Sequence, residues 1–168
     1  MAEVEAYSHN VFNKICEVQN ITDDNVETKT NMAFISIIGT HGGLEHWFKT
    51  NHSNVLNLEF DDVESDIILD VDKDNDDDSI INVVNSYAIT EKQALEIVEF
   101  IDRNVGKDFY IHCYAGVSRS GAICHFIKHN YDEYKNTQGG KHICPNNEVL
   151  RKLNRVLWKR YYKDVKKS

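Results

Sequence analysis

Proline occurs once in this chain, at Pro145, and glycine only eight times in 168 residues. That composition excludes proline-stiffened linkers and Gly/Ser-rich low-complexity segments, and there is no internal repeat. Long apolar runs are missing as well. No stretch approaches the roughly 20 apolar residues that span a bilayer, and the N-terminal MAEVEAYSHN lacks the basic-then-apolar pattern of a secretory leader. Positive charge is in deficit: 19 Lys and Arg face 27 Asp and Glu, a net charge of −8. So acidic a chain is a poor generic partner for nucleic acid or for an acidic membrane surface. The four cysteines, Cys16, Cys113, Cys124 and Cys144, share no spacing with zinc sites or disulfide frameworks. A reducing, cytoplasmic compartment is therefore expected. What remains is ordinary for a globular protein, with 41% hydrophobic and 27% charged residues. The length suits a single domain, 1–168, with a substantial core.

Hydrophobic periodicity orders the elements. Ser8 is placed to cap a helix with Val11, Phe12, Ile15 and Val18 on one face. Met32 to Ile38 is a short apolar run rich in β-branched residues and reads as a buried strand ended by Gly39. Leu44 to Lys49 suits a short helix, and Val55 to Phe60 a second strand. An acidic insertion follows, about residues 61–86. Thr90 and Gln93 then form a capping box. The helix behind it carries Ala94, Ile97, Val98, Ile101 and Val105 at helical spacing, with Gly106 at its end. Phe109 to His112 reads as a strand, Ser120 to about Tyr134 as a helix with Ala122, Ile123, Phe126 and Ile127 inward. Pro145-Asn146-Asn147-Glu148 opens a last helix with Val149, Leu150, Leu153, Val156, Leu157 and Tyr161 on its core side. Apolar strands alternating with helices predict an α/β fold, a mostly parallel central sheet flanked by helices.

Chemistry concentrates in residues 112 to 121, HCYAGVSRSG. In a parallel sheet this stretch joins the C-terminal end of a strand to the N-terminus of a helix, where such sheets bind ligands. A helix N-terminus attracts anions through its unpaired N–H groups and partial positive charge. Gly116 lets the backbone wrap inward, and Arg119 adds a fork of donors matched to two phosphate oxygens. In that field the Cys113 thiol should be acidic enough to act as a thiolate. The predicted unit is an anion cradle, residues Tyr114, Ala115, Gly116, Val117, Ser118 and Arg119, with a nucleophile at its base. The bland alternative, a buried inert thiol, does not call for the glycine, arginine and serine around it.

His112-Cys113-x-x-Gly116-x-x-Arg119-Ser120 resembles the signature of the cysteine-dependent protein tyrosine phosphatase superfamily. The form AGVSRSG is most similar to its dual-specificity branch, and the likeness reaches from about Met32 to the last helix. The resemblance implies the phosphatase fold and roles for five residues. Cys113 is the nucleophile, Arg119 binds phosphate, Ser120 eases thiolate release, and His112 fixes the loop and helps lower the Cys113 pKa. An aspartate on a loop after an earlier strand is the general acid. Leu58-Glu59-Phe60-Asp61-Asp62 resembles a bacterial and viral subgroup in which a strand ends in Phe-x-Asp, and this selects Asp62. Asp61 comes second, and Asp76, Asp77 and Asp78 remain alternatives. No cofactor and no metal is implied. The expected partner is a phosphorylated protein, phosphotyrosine included, in the cytoplasm, or the host cytoplasm if the chain is viral. Alternatives are an RNA 5′-triphosphatase of the same superfamily, a catalytically weak phosphopeptide-binding module, and a rhodanese-like or arsenate-reducing enzyme. The acidic composition disfavours nucleic acid, and no oligomeric state is assigned.

Other constellations read as structural. The run from Asp70 to Asp78 fails as a calcium loop, because position six is Asn75 and position twelve Ile81. His125 and His129 lie one turn apart without a third ligand. Gly39 to Gly43 is read as a connecting loop, with a place beside the cleft as the alternative. Trp47 and Phe48 are assigned to the core, and so is Cys124, whose alternative is a disulfide with oxidised Cys113. Lys159, Arg160, Lys163, Lys166 and Lys167 are read as a solvated helix end.

Overall fold

A computed structural model describes residues 2–68, 85–136 and 143–168. Its elements are strands β1 (Val4–Ser8), β2 (Met32–Ile38), β3 (Val55–Glu59) and β4 (Asp108–Cys113). The helices are α1 (His9–Val18), α2 (Glu91–Asn104), α3 (Arg119–Asn130) and α4 (Asn147–Lys167). The strands form one all-parallel sheet in the order β1-β4-β2-β3. The expected α/β architecture is what the chain adopts. Among the described residues no helix is long and apolar enough to cross a membrane.

All seven residues of β2 are buried, as a strand covered on both faces requires. Alternation assigns the faces. Ala33, Ile35 and Ile37 pack with α2, α3 and α4 in the larger core, while Met32 and Phe34 pack with Phe12, Cys16, Ile21 and Phe48 beneath α1. Register brings Ser8 beside Cys113, Ser36 beside His112 and Ile38 beside Glu59, so the C-terminal ends of the strands lie along one edge.

Local signals act as their chemistry requires. Ser8 Oγ accepts from the Val11 N–H, and the Thr90–Gln93 capping box closes in both directions. Gly106 sits at φ +89° beyond α2, a conformation that suits glycine.

Four expectations are corrected. The buried stripe of α1 runs through His9, Phe12 and Cys16, whereas Val18 is 72% exposed. Phe12 sets that rotation by packing edge-on against Phe34 and Phe48. Leu44 to Lys49 is not helical. His46 bonds Ser36, the Trp47 indole N–H donates to the Ile21 carbonyl, and Phe48 is buried. Three consecutive side chains committed to different partners leave no helical arrangement that meets all of them. The helix expected to reach Tyr134 stops at Asn130, and a 3-10 turn over Asp132–Tyr134 follows. That turn lets the buried Tyr134 hydroxyl donate to the Lys107 carbonyl at 2.6 Å. Tyr161 is 62% exposed instead of facing the core, because α4 outruns the body it packs on. Strand β1, absent from the sequence reading, pairs along its whole length with β4.

Phe12→Ala should cost about 3–5 kcal/mol in urea denaturation, whereas Val18→Ser should change stability by no more than about 0.5 kcal/mol.

Candidate active site

Strand β4 ends at Cys113 and α3 begins at Arg119, so residues 114–118 must turn within five positions. Gly116 makes the turn at φ +75°. A Cβ there would meet the Tyr7 carbonyl carbon at 2.4 Å and the Ser8 nitrogen at 2.5 Å. Three carbonyls of the loop are bonded by neighbouring segments. Tyr114 O accepts from the His9 N–H at 3.0 Å, Val117 O from Cys144 at 3.2 Å and Ser118 O from Asn146 at 3.1 Å.

Cys113 lies at the base, 2% exposed, with its Sγ 3.1 Å from the Ser120 hydroxyl. Burial on its own raises the thiol pKa. The Ser120 hydroxyl, the N–H groups of Ser120 and Gly116, and the Arg119 charge outweigh that and hold it below its ordinary value. Arg119 is itself buried. One Nη donates to the Phe60 carbonyl at 2.8 Å, and its Nε is buried without a hydrogen-bond partner among the described residues. A buried guanidinium N–H without a partner beside the Cys113 thiol can donate to an anion's oxygen.

Above these residues lies an open cleft of about 910 Å³. The Cys113 loop forms one wall, and Gly39 to Leu44 with Asp61 and Asp62 form the other. Gly39–Gly43 therefore borders the cleft, the second of its two sequence readings.

The two adjacent carboxylates have different partners. Asp61 accepts from the Thr40 N–H and hydroxyl and from the Tyr87 N–H, at 2.6–2.9 Å. Burial would raise its pKa, but these bonds prevail and hold it below the usual carboxylate value. Asp61 is thus an anionic tether joining the ends of β2 and β3 to the segment before α2. Asp62 stands at the rim, where its Oδ1 accepts from Ser118 Oγ at 2.6 Å and from Asn146 Nδ2 at 2.8 Å. With Oδ1 engaged twice, a proton on this carboxyl belongs on Oδ2. Asp76, Asp77 and Asp78 lie outside the described residues, as does the rest of the acidic run from Asp70.

His112 is fully buried beneath the loop. Its Nδ1 faces the Cys113 carbonyl at 3.2 Å, its Nε2 lies 2.6 Å from Ser36 Oγ, and that hydroxyl lies 2.6 Å from His46 Nδ1. Burial pulls its pKa down to about 3, with the charges of His9, His46 and Arg119 adding to the effect. A neutral ring fits one proton order: His46 Nδ1–H to Ser36, Ser36 O–H to His112 Nε2, and His112 Nδ1–H to the Cys113 carbonyl. The ring is bonded to the base of the loop through that carbonyl. Being neutral, it lends the thiol no positive charge.

The sequence reading passed over Ser36, His46 and Asn146. Ser36 had a signal, being the polar residue inside the apolar run Met32 to Ile38, and Asn146 had one as the N-cap of α4. Elsewhere, Cys124 packs in the main core, where burial raises its thiol pKa, and His125 and His129 stack with ring centroids 3.9 Å apart. Compared with known proteins, the chain matches no family model, no curated protein and no solved structure.

The buried imidazole sets an acid limit. The unfolded chain protonates His112 near its ordinary 6.5, the folded chain only at about 3. The unfolded state therefore binds more protons between those values, and stability falls as pH drops through that window, by about 1.4 kcal/mol per pH unit. Urea denaturation between pH 7 and pH 4 should show this slope, reduced in His112→Asn.

Proposed function

We propose that this protein is a cysteine-dependent phosphatase of phosphoproteins, phosphotyrosine included, working through a cysteinyl-phosphate. One observation carries the reading: the low-pKa Cys113 and the open Arg119 Nε share the floor of a cleft whose opposite rim presents Asp62. In the first step the Cys113 thiolate attacks phosphorus in line, an S–P bond forms and the ester P–O bond breaks. Arg119 and the loop N–H groups take the charge on the non-bridging oxygens. Asp62 delivers the proton on Oδ2 to the departing oxygen. In the second step Asp62 takes a proton from water, which attacks phosphorus and releases inorganic phosphate. The Ser120 hydroxyl, 3.1 Å from Sγ, stabilises the departing thiolate. Charge compensation by Arg119 and the N–H groups leaves no step that calls for a metal.

The cleft favours a phosphate monoester. Among the described residues lining it, Arg119 is the one fixed cation, and the carboxylates of Asp61 and Asp62 stand opposite. A 5′-triphosphate or a phosphoinositide would bring further negative charge to that wall. A thiolate nucleophile also needs reducing conditions, which fits a cytoplasmic setting, or the host cytoplasm for a viral chain.

The test is p-nitrophenyl phosphate hydrolysis in EDTA. The wild type should turn over, and Cys113→Ser should fall by about a thousandfold or more. Absence of turnover in a folded, phosphate-binding wild type would sink the enzyme and leave the binding module. Asp62→Asn should lower kcat by about 10²–10³.

Asn146→Ala removes one of the two donors that aim Asp62, so kcat should fall by about tenfold with KM little changed. Its deficit should be larger with phenyl phosphate than with p-nitrophenyl phosphate, since the poorer leaving group depends more on the acid. Equal deficits would assign Asn146 a structural role alone.

A further inference from the structure

Helix α4 changes character along its length. In its first half the cations have acidic neighbours. Arg151 and Lys152 pair with Glu148, Arg155 and Lys159 with Glu91, and Arg160 with Asp102 and Glu99. The pairs with Glu91, Glu99 and Asp102 join α4 to α2, while those with Glu148 lie within α4. Beyond Arg160 the pattern stops. Every residue from 161 to 168 is exposed, and Lys163, Lys166 and Lys167 have no ion pair among the described residues.

The same stretch leaves aromatic rings uncovered. Trp158, Tyr161, Tyr162 and Val165 are each more than half exposed. They fall at i, i+3, i+4 and i+7, hence on one face. The three rings contact one another, with centroids 6.0–6.1 Å apart. Lys159, Lys163 and Lys166 share the adjoining flank at i, i+4 and i+7. Residues 158–168 hold five basic residues and one acidic; with Lys159 and Arg160 paired to α2, Lys163, Lys166 and Lys167 remain, within a chain of net −8. The net charge, which disfavours an acidic membrane, hides this local excess.

We propose that the C-terminal turns of α4 lie on an anionic lipid surface, rings at the headgroup level and lysines against the lipid charge. Two observations select a bilayer over a protein partner. The apolar face of these turns is built of Trp and Tyr, whose rings carry a polar edge suited to the water–lipid boundary. The free cations are lysines on long stems, which reach headgroups while the rings go deeper. The helix lies along the surface; it is too short of apolar residues to cross.

This placement also orients the cleft. The N-terminal end of α4 is bonded to the Cys113 loop through Asn146. Its C-terminus lies 21 residues on, about 30 Å away. Held by that end, the protein keeps its cleft at that distance along the helix from the lipid contact.

The full chain would be sedimented with phosphatidylcholine vesicles with or without about 30 mol % phosphatidylserine, at low and at physiological salt. Binding should require phosphatidylserine, weaken with salt, and blue-shift Trp158 emission, separated from Trp47 by Trp158→Phe. The triple variant Lys163→Glu/Lys166→Glu/Lys167→Glu and, separately, Trp158→Ala/Tyr162→Ala should each weaken partitioning by about tenfold or more. Thermal melting should show both variants folded, since these residues are exposed. Absence of binding at low salt, binding indifferent to phosphatidylserine, or binding unaltered in either folded variant would overturn the proposal. So would a concentration-dependent dimer that Trp158→Ala/Tyr162→Ala abolishes, which would assign the face to a second copy of the chain.

Discussion

Between Gly116 and the Tyr7–Ser8 peptide there is no room for a side chain: a Cβ would stand 2.4 Å from the Tyr7 carbonyl carbon, with φ at +75°. Much of the site follows from this contact. It presses the loop onto the end of β1, and the same approach puts the His9 N–H on the Tyr114 carbonyl while Ser8 caps α1. With His9, Cys144, Asn146 and the His112 ring each meeting a loop carbonyl from outside, the carbonyls point away from the centre. The N–H groups of Gly116 and Ser120 face inward, toward the Cys113 sulfur. The electrostatics of the site is thus a consequence of backbone packing before any charged side chain is added.

Burial does opposite things to the titratable groups here. Around Cys113 it is opposed by a hydroxyl, two N–H groups and a guanidinium, and the thiol pKa falls below its ordinary value. At Cys124, in the core behind, nothing comparable opposes it and the thiol stays neutral. His112 is likewise kept neutral, which makes it a rigid donor rather than a charge. Adjacent aspartates divide in a related way. Asp61 spends its acceptors on two backbone N–H groups and a hydroxyl and becomes structural, while Asp62 has one oxygen without a hydrogen bond among the described residues.

Charge is also distributed unevenly over the whole molecule. Acidic residues of α2 pair with Arg155, Lys159 and Arg160 in the middle of α4 and bind the two helices together. The unpaired lysines and uncovered rings gather at the far end of α4, opposite the cleft. An overall charge of −8 describes neither end. What an approaching surface meets is set within a Debye length, and so by local pairing.

Strand periodicity, the capping residues Ser8 and Thr90, and the Cys-x5-Arg spacing are local properties, and each was legible from the chain. They sufficed for the α/β class, for the succession of most elements, and for a tight loop between β4 and α3. The misses have a common physical cause. Val18 and Tyr161 have apolar character but no neighbour to bury them, and that depends on where other elements end. Trp47 and Phe48 were rightly given to the core, yet the segment carrying them is bent by partners 10 to 26 residues away. The choice between Asp61 and Asp62 turns on Thr40, Tyr87, Ser118 and Asn146, which only folding brings together. The sequence by itself determined the elements and the chemical groups of the loop, because these depend on neighbours a few residues away. Which carboxylate is tethered, which histidine is neutral and which helix end stays uncovered were decided by the tertiary structure, because hydrogen-bond partners and burial are properties of space rather than of sequence distance.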